Sequence, residues 1–132
     1  MPEYVVSKVV WGLNEHGKPL NGSRVLVLGV SYKKNVDDMR ESPSAEIMDL
    51  LARGGASIAY SDPHVPSFPP MRRYTFNLES QAITAAMIET YDVVVVSTNH
   101  DAFDYDLIRL NARLIVDARG VFREGAANVV RA

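Results

Sequence analysis

The feature that most constrains the fold is a pair of apolar runs that no polar residue interrupts. They are RVLVLGV at 24–30 and VVVV within YDVVVVST at 91–98. Short, continuous runs rich in β-branched residues are typical of strands that are buried on both faces of a parallel sheet. Because such strands need helices on both faces, the two runs predict an α/β fold.

The rest of the chain alternates between helical and strand patterns. Apolar residues at helical spacing predict an amphipathic helix over 2–14 that ends near Gly17. Ser42 and Pro43 are typical of an N-cap and a first helical position, and Gly54 is a typical helix stop. The other predicted elements are strands within 57–63 and 114–120, a helix over 79–90, a short helix with Asp101 or Asp104 near its start, and an irregular proline-rich segment over 64–76.

This order of elements predicts the architecture of the sheet. An initial helix is followed by β-α-β-α-β-α-β, which implies right-handed crossovers between parallel strands. We therefore predict a Rossmann-like open parallel sheet with helices on both faces, preceded by an N-terminal helix. Residues 1–20 would form that helix and a linker, and residues 21–132 would form one domain.

Composition excludes several classes of site. The chain has no cysteine, so it holds no disulfide, thiolate metal site or cysteine nucleophile. A formal net charge of -2 gives no general attraction to nucleic acid or to an anionic membrane. No apolar run approaches the roughly 20 residues of a membrane span, and the N-terminus lacks the features of a signal peptide. A cytoplasmic protein is therefore expected.

Ligands of open parallel sheets bind at the carboxyl ends of the strands. In this chain the rule selects four segments for closer inspection. They are Gly29–Lys34, Ser61–His64, Ser97–His100 and Asp117–Arg119.

The first segment starts like a dinucleotide-binding loop but lacks its glycines. Gly29 is followed by Ser31 and Lys34 where the GxGxxG pattern requires glycines. We therefore reject dinucleotide binding by this domain alone. Tyr32 could instead stack on a base, and Lys33 and Lys34 could bind phosphates. The alternative, that Tyr32 packs internally and both lysines are solvated, is equally compatible with the local sequence.

Two arginines near strand ends each have two interpretations. Arg40 lies among acids in DDMRESP, which either neutralise it or hold its guanidinium for an outside anion. Arg119 follows a buried strand, where its fork of donors suits a diphosphate or a base edge. The alternative for Arg119 is a salt bridge to Asp117.

The remaining polar residues at strand ends favour structural roles. Asp62 is too far from Gly29 in the sequence to be the usual ribose-binding acid, and Asp-Pro is common in turns. Asp62 with His64 could suggest a metal site, but no third ligand lies near them in the sequence. Thr98, His100 and Asp101 have no nucleophile placed with them. We interpret them as a helix cap and a histidine that lines the cleft.

Several motifs occur together in a specific order. They are GSRVLVLGVSYKKNVDDMRESPSAEIMDLL, YSDPHVP, VVVVSTNHDAFD and LIVDARG. This set resembles the C-terminal domain of the UDP-glucose/GDP-mannose dehydrogenase family over nearly the whole chain. YKKNVDDMRESP with YSDPHVPSFPPMR is most similar to the UDP-N-acetylglucosamine 6-dehydrogenase branch.

The resemblance implies a reaction and a set of contacts. Enzymes of this family oxidise the 6-alcohol of a nucleotide sugar to a carboxylate, for polysaccharide precursors. They use NAD held by an N-terminal Rossmann domain and a cysteine that forms a thioester. By position, Tyr32, Lys33 and Arg119 would contact the UDP of the substrate, and Arg40 would lie on the NAD side. Residues 1–20 would be the end of a central dimerisation helix, and the full-length enzyme would be a homo-oligomer.

Two hypotheses about the chain as a whole follow. Without the cysteine and the NAD domain, this chain alone is expected to be inactive, as a piece of a longer enzyme. That hypothesis is favoured because the first helix would otherwise expose Val5, Val6, Val9 and Val10. The alternative is a stand-alone, non-catalytic Rossmann-like module for binding or oligomerisation.

Overall fold

A five-stranded parallel sheet forms the centre of the molecule, with strand order β2-β1-β3-β4-β5. The computed structural model describes residues 2–31, 33–35, 42–71, 74, 76–123 and 125–132. The open parallel sheet predicted above is confirmed, with one additional strand at its edge. The strands are β1 (Arg24–Leu28), β2 (Ser57–Ser61), β3 (Val93–Val96), β4 (Ile115–Asp117) and β5 (Val129–Arg131).

Helices cover both faces of this sheet. They are α1 (Pro2–Glu15), α2 (Pro43–Arg53), α3 (Ala85–Glu89) and α4 (Tyr105–Asn111). Ser42 is the N-cap of α2, as predicted, and Asp104 rather than Asp101 caps α4. No helix within the described part of the chain is long and apolar enough to cross a membrane.

The predicted helix over 79–90 is wrong in its first half. Thr84 caps α3, so the helix begins only at Ala85. The preceding backbone is engaged elsewhere, because the Gln81 N–H donates to Tyr60 O at 2.9 Å and the Ser80 N–H donates to Pro66 O at 2.9 Å. These long-range bonds hold residues 79–81 against the end of β2 and prevent an earlier helix start.

Two apolar layers bury the sheet. Helices α1 and α2 pack on one face against Val25, Val27 and Val95, and α3 and α4 pack on the other face. The expected exposure of the α1 valines is wrong for two of them, since Val9 is fully buried and Val5 is buried in the same layer. The outer side of α1 is different: Tyr4, Val10 and Trp11 are 46%, 43% and 52% exposed.

The strand order has a topological switch point between β1 and β3. β1 pairs with β2 on one side and with β3 on the other, all in parallel. The chain therefore reverses its direction of winding between β1 and β3. Loops that leave the carboxyl ends of such neighbours turn to opposite faces and leave a crevice between them, which is where open α/β sheets bind ligands.

At the opposite end of the sheet, Asp92 joins the segment before β1 to the start of β3. Its carboxylate accepts hydrogen bonds from Lys18 Nζ at 2.6 Å and from the Arg24 N–H at 2.8 Å. The Lys18 hydrogen bond, followed by that of Arg24, lowers the pKa of Asp92 below its usual value. Because the folded state favours the ionised form, this stabilisation is present above about pH 4 and is lost as the pH falls through the lowered pKa.

We therefore expect Asp92→Asn to lower the free energy of unfolding by about 1 kcal/mol at pH 7, since a charged hydrogen bond is weakened in a partly exposed site. The difference from the wild type should shrink as the pH falls below about 4. Urea unfolding at both pH values measures it, with the exposed Glu89→Gln as control. An Asp92→Asn deficit of equal size at pH 7 and pH 3 would contradict this account.

Candidate functional site

The four strand-end segments selected from the sequence meet in the structure. The Thr98 hydroxyl after β3 donates to Ser31 O after β1, at 2.8 Å. The Arg119 Nε after β4 donates to Ser97 O at 2.7 Å. Asp62 after β2 accepts a hydrogen bond from the Val30 N–H at 2.8 Å. The carboxyl ends of β2, β1, β3 and β4 therefore form one continuous polar edge.

Gly29 allows the backbone at the end of β1 to pass close to the backbone of the loop after β3. Its φ is 80°, and its N–H donates to Ser61 O at 2.9 Å. A Cβ at this position would lie 2.3 Å from Thr98 O and 2.5 Å from Thr98 Cβ. The glycine is therefore required because β1 ends directly against the loop after β3, rather than to approach a phosphate.

The start of α2 does not fit a dinucleotide. A pyrophosphate at a helix N-terminus needs free backbone N–H groups. Here Pro43 has no N–H, and the Ser44 N–H donates to Ser42 Oγ at 3.2 Å. Ser42 Oγ in turn donates to Val30 O at 2.6 Å, which ties the helix start to the end of β1. Pro43 and the Ser42 cap thus leave two fewer N–H groups for an anion at this helix start.

Asp62 is a structural residue of the edge. Its position at the carboxyl end of β2 is that of the ribose-binding acid in dinucleotide-binding sheets. However, the carboxylate is fully buried and accepts hydrogen bonds from the N–H groups of Val30 at 2.8 Å, Ser31 at 3.3 Å and His64 at 2.8 Å. Among the described residues, no group of three or more potential ligands could hold a metal ion.

His100 differs from the prediction that it lines the cleft, since its side chain is fully buried. Its Nδ1 accepts a hydrogen bond from the Asn35 N–H at 2.7 Å, and its Nε2 lies 2.8 Å from Asp62 Oδ2. The imidazole thus bridges the loop after β1 and the acid after β2. The error has a physical reason: the loop that buries His100 comes from a distant part of the chain.

Two tyrosine hydroxyls support the same edge. Tyr60 donates to Val65 O at 2.8 Å, and Tyr105 donates to His100 O at 2.7 Å. Burial, with a contribution from the Asp62 carboxylate, raises the pKa of Tyr60 to about 12. Burial also raises the pKa of Tyr105 well above its usual value. Both hydroxyls therefore stay protonated and act as fixed donors.

Asn35 was not singled out from the sequence, yet it joins two of the loops. Its backbone has a φ of 63°, in the left-handed region that asparagine tolerates better than most residues. Its Nδ2 donates to Asp101 Oδ2 at 2.8 Å, and the Asp101 N–H donates to Asn35 Oδ1 at 3.0 Å. The signal in the sequence was an asparagine shortly after a strand, which is too common to identify this role.

The cations of the edge differ in how they are held. Lys33 is exposed and has no ion-pair partner among the described residues, whereas Lys34 Nζ lies 3.8 Å from Asp101 Oδ1. The Asp117 carboxylate accepts hydrogen bonds from the N–H groups of Arg119 at 3.0 Å and Phe122 at 2.9 Å.

The alternative of a salt bridge between Arg119 and Asp117 is therefore not observed. Arg119 is anchored through Nε alone, and no other described group accepts a hydrogen bond from its guanidinium. Its side chain is exposed, so the remaining donors are available to a ligand. The other predicted site residues, Tyr32 and Arg40 with its neighbouring acids, lie outside the described residues.

Comparison with known proteins agrees with this geometry. The sequence profile of the UDP-glucose/GDP-mannose dehydrogenase family, UDP binding domain, matches residues 26–124. The chain belongs to this family. The matched range runs from within β1 to beyond β4 and includes every segment of the polar edge, so the UDP-binding domain of the family is the part that this chain contains.

Individual relatives in this family carry the names of several nucleotide-sugar dehydrogenases. A UDP-N-acetyl-D-mannosamine dehydrogenase of Methanococcus maripaludis is 32% identical over 129 residues, covering 92% of this chain and 28% of that protein. An NDP-N-acetyl-D-galactosaminuronic acid dehydrogenase of Ralstonia nicotianae is 28% identical over 123 residues, covering 92% of this chain and 27% of that protein. The chain thus spans little more than a quarter of the length of these relatives.

A solved structure of the family shares the fold. The crystal structure of NDP-N-acetyl-D-galactosaminuronic acid dehydrogenase from Methanosarcina mazei superposes with a TM-score of 0.76 at 26% identity. The superposition covers 100% of this chain and 28% of the other. The N-terminal helix α1 is included in that match, so it is part of the shared architecture.

Proposed function

We propose that this chain binds the UDP end of the substrate in an NAD-dependent UDP-sugar 6-dehydrogenase, through Tyr32, Lys33 and Arg119. The observation that carries the proposal is the pair of exposed cations at the polar edge. Lys33 follows β1 and Arg119 follows β4, and neither side chain is neutralised by a described acid. Exposed, unneutralised cations at the ligand end of a sheet favour an anionic ligand.

Each side chain suits one part of UDP. The guanidinium of Arg119 can donate two parallel hydrogen bonds to a diphosphate, and its bond to Ser97 O already limits its orientation. The ammonium of Lys33 acts as a point charge for a phosphate oxygen. Tyr32 would supply an aromatic face for uracil, in keeping with the base stacking of other nucleotide sites.

The wider enzyme is also part of the proposal. Oxidation of a 6-alcohol to a carboxylate removes four electrons, which two molecules of NAD accept. The start of α2 does not fit NAD, so we propose that a different part of the full-length enzyme binds the cofactor and that Arg40 faces it. Residues 1–20 would end a central dimerisation helix, residues 21–132 would form the UDP-binding domain, and the full-length enzyme would be a homo-oligomer.

For the sugar, we propose UDP-N-acetylglucosamine, which is converted to its uronic acid for a polysaccharide precursor. The motifs YKKNVDDMRESP and YSDPHVPSFPPMR support this branch of the family. Two relatives compared above are named for other N-acetylated sugars, which supports an acetamido sugar in general. Comparing UDP-N-acetylglucosamine with UDP-glucose and UDP-N-acetylmannosamine as substrates of the full-length enzyme tests the choice.

A second candidate function rests on the outer side of α1. Tyr4, Val10 and Trp11 are exposed there, and exposed apolar clusters often mark interfaces. A stand-alone oligomerisation module would self-associate without binding UDP. Sedimentation of the chain with and without UDP separates this candidate from the first.

The UDP proposal predicts a local and weak binding event. Titration with UDP up to millimolar concentration should move amide resonances of residues 29–35 and 117–121. We expect Lys33→Ala and Arg119→Ala each to raise the Kd about fivefold, because each removes one solvent-exposed, charge-assisted contact. Arg53→Ala at the far end of α2 removes the same charge and should leave the Kd unchanged. Shifts spread evenly over the surface, or no shifts, would refute this site.

A further inference from the structure

We propose that Asn35, His100 and Asp62 form a clamp that fixes the backbone around Lys33 in its UDP-binding position. His100 would act as a positioning residue in the neutral state, with its proton on Nε2. The proposal rests on the proposed function for the identity of the ligand. The clamp itself is defined by hydrogen bonds among described residues and can be tested without any ligand.

The tautomer follows from the donors around the imidazole. The Asn35 N–H can only donate, and it points to His100 Nδ1 at 2.7 Å, so Nδ1 carries no proton. In a neutral imidazole the proton is then on Nε2. Nε2 donates to Asp62 Oδ2 at 2.8 Å, with Ser31 Oγ at 3.2 Å as a second, weaker acceptor. A proton on Nδ1 would place two donors against each other.

The clamp holds both ends of the segment that carries Lys33. At one end, Asp62 Oδ2 accepts the N–H groups of Val30 at 2.8 Å and Ser31 at 3.3 Å. At the other end, the same oxygen is connected through His100 to the Asn35 N–H. One buried carboxylate oxygen therefore determines where the segment leaves β1 and where it returns towards the loop after β3.

The segment is also braced from within and from outside. The Ser31 hydroxyl donates to Lys33 O at 2.9 Å, and the Thr98 hydroxyl donates to Ser31 O at 2.8 Å. Asn35 has a left-handed backbone, although its side chain is exposed, and a paired set of hydrogen bonds with Asp101 holds it there. Asparagine tolerates this conformation, and the hydrogen bonds to Asp101 and His100 hold it in place.

The consequence for binding is pre-organisation. Lys33 lies two residues from Ser31 and two from Asn35, and both of these are fixed, whereas its own ammonium has no ion-pair partner among the residues that the structure describes. A loop that is ordered before binding loses less conformational entropy when the ligand arrives. Loss of the clamp should therefore weaken UDP binding without removing any contact to UDP.

The first experiment is NMR of the histidine side chains in the wild-type chain. The 15N shifts of His100 should show an unprotonated Nδ1 and a protonated Nε2, and the Asn35 amide should be protected from hydrogen exchange. An Nδ1-protonated tautomer, a doubly protonated ring at neutral pH, or an unprotected Asn35 amide would overturn the clamp. None of these measurements needs UDP.

The second experiment compares His100→Gln with His100→Asn. Glutamine can still donate to Asp62 but has no acceptor at the Nδ1 position, whereas asparagine can place its oxygen near Nδ1. We expect His100→Gln to speed exchange of the Asn35 amide and to raise the Kd for UDP about fivefold. His100→Asn should restore most of the amide protection. Unchanged Asn35 exchange in His100→Gln would overturn the proposal.

Because His100 is buried, its substitution could unfold the protein, so a third variant changes the exposed residue Asn35 instead. Asn35→Gly keeps the N–H and accepts a φ of 63° without strain, but it loses the bonds to Asp101. It should fold, keep the Asn35 N–H bond to His100 and bind UDP about threefold more weakly, and an unchanged Kd would mean that the hydrogen bonds to Asp101 do not help to order the segment for binding. If the wild type binds no UDP, the proposed function fails, while the tautomer and the Asn35 exchange still decide whether the clamp exists.

Discussion

Replacing Gly29 with alanine is expected to destabilise the fold by about 3 kcal/mol or more. Two causes add. The φ of 80° is costly for any residue with a Cβ, and that Cβ would lie 2.3 Å from Thr98 O and 2.8 Å from Thr98 Cα. Because backbone atoms cannot move aside as a flexible side chain can, β1 and β3 would have to separate.

Urea unfolding of Gly29→Ala and the wild type measures this cost. Gly17→Ala is the matched control, since Gly17 has a φ of 70° but nothing within 4 Å of its added Cβ. The control should lose only about 1 kcal/mol, from backbone strain alone. If the two variants lost the same stability, the close approach of Gly29 to Thr98 would be wrong.

Asp62→Asn is expected to cost about 3 kcal/mol, although the two side chains have nearly the same shape. Oδ2 accepts from Val30, Ser31 and His100, and Oδ1 accepts from the His64 N–H at 2.8 Å. An amide nitrogen in either position therefore faces a donor. In a site that excludes water, that donor keeps no partner and its desolvation is uncompensated.

The measurement is again the free energy of unfolding, with Asp49→Asn as control. Asp49 is paired with Arg53 at 3.0 Å on the surface of α2, where its loss should cost under about 0.5 kcal/mol. Amide spectra of Asp62→Asn should change most at residues 30, 31 and 64. A variant as stable as Asp49→Asn would mean that the carboxylate is not the acceptor described here.

These two positions connect stability to the proposed binding site. Gly29 and Asp62 contact no ligand in the proposed function, yet they determine where β1 ends and where the residues around Lys33 begin. The loop after β1 lacks the usual phosphate-binding glycines, yet its backbone has a defined position relative to the neighbouring strands. Its position depends on a buried carboxylate and a close backbone crossing instead of on a phosphate.

Much of the scaffold could be predicted from local sequence. The VVVV of β3 and the VLVL of β1 identify strands buried on both faces. Short, continuous apolar runs are typical of such strands, because both faces of a parallel sheet are covered by helices. Ser42 before Pro43 identifies the start of α2 because capping involves only neighbouring residues. β5 was missed because three residues at a sheet edge carry too little pattern to be recognised.

By itself, the sequence determined the parallel sheet, the polar edge at the carboxyl ends of its strands and the family to which the chain belongs. Only the tertiary structure decided that His100 is buried, that Asn35 joins two loops and that Arg119 is anchored to Ser97 rather than to Asp117. The physical reason is the distance along the chain between the interacting residues. Hydrophobic period and helix caps act between near neighbours, whereas the partner of each buried polar group at this edge follows a different strand and becomes a neighbour only when the sheet forms.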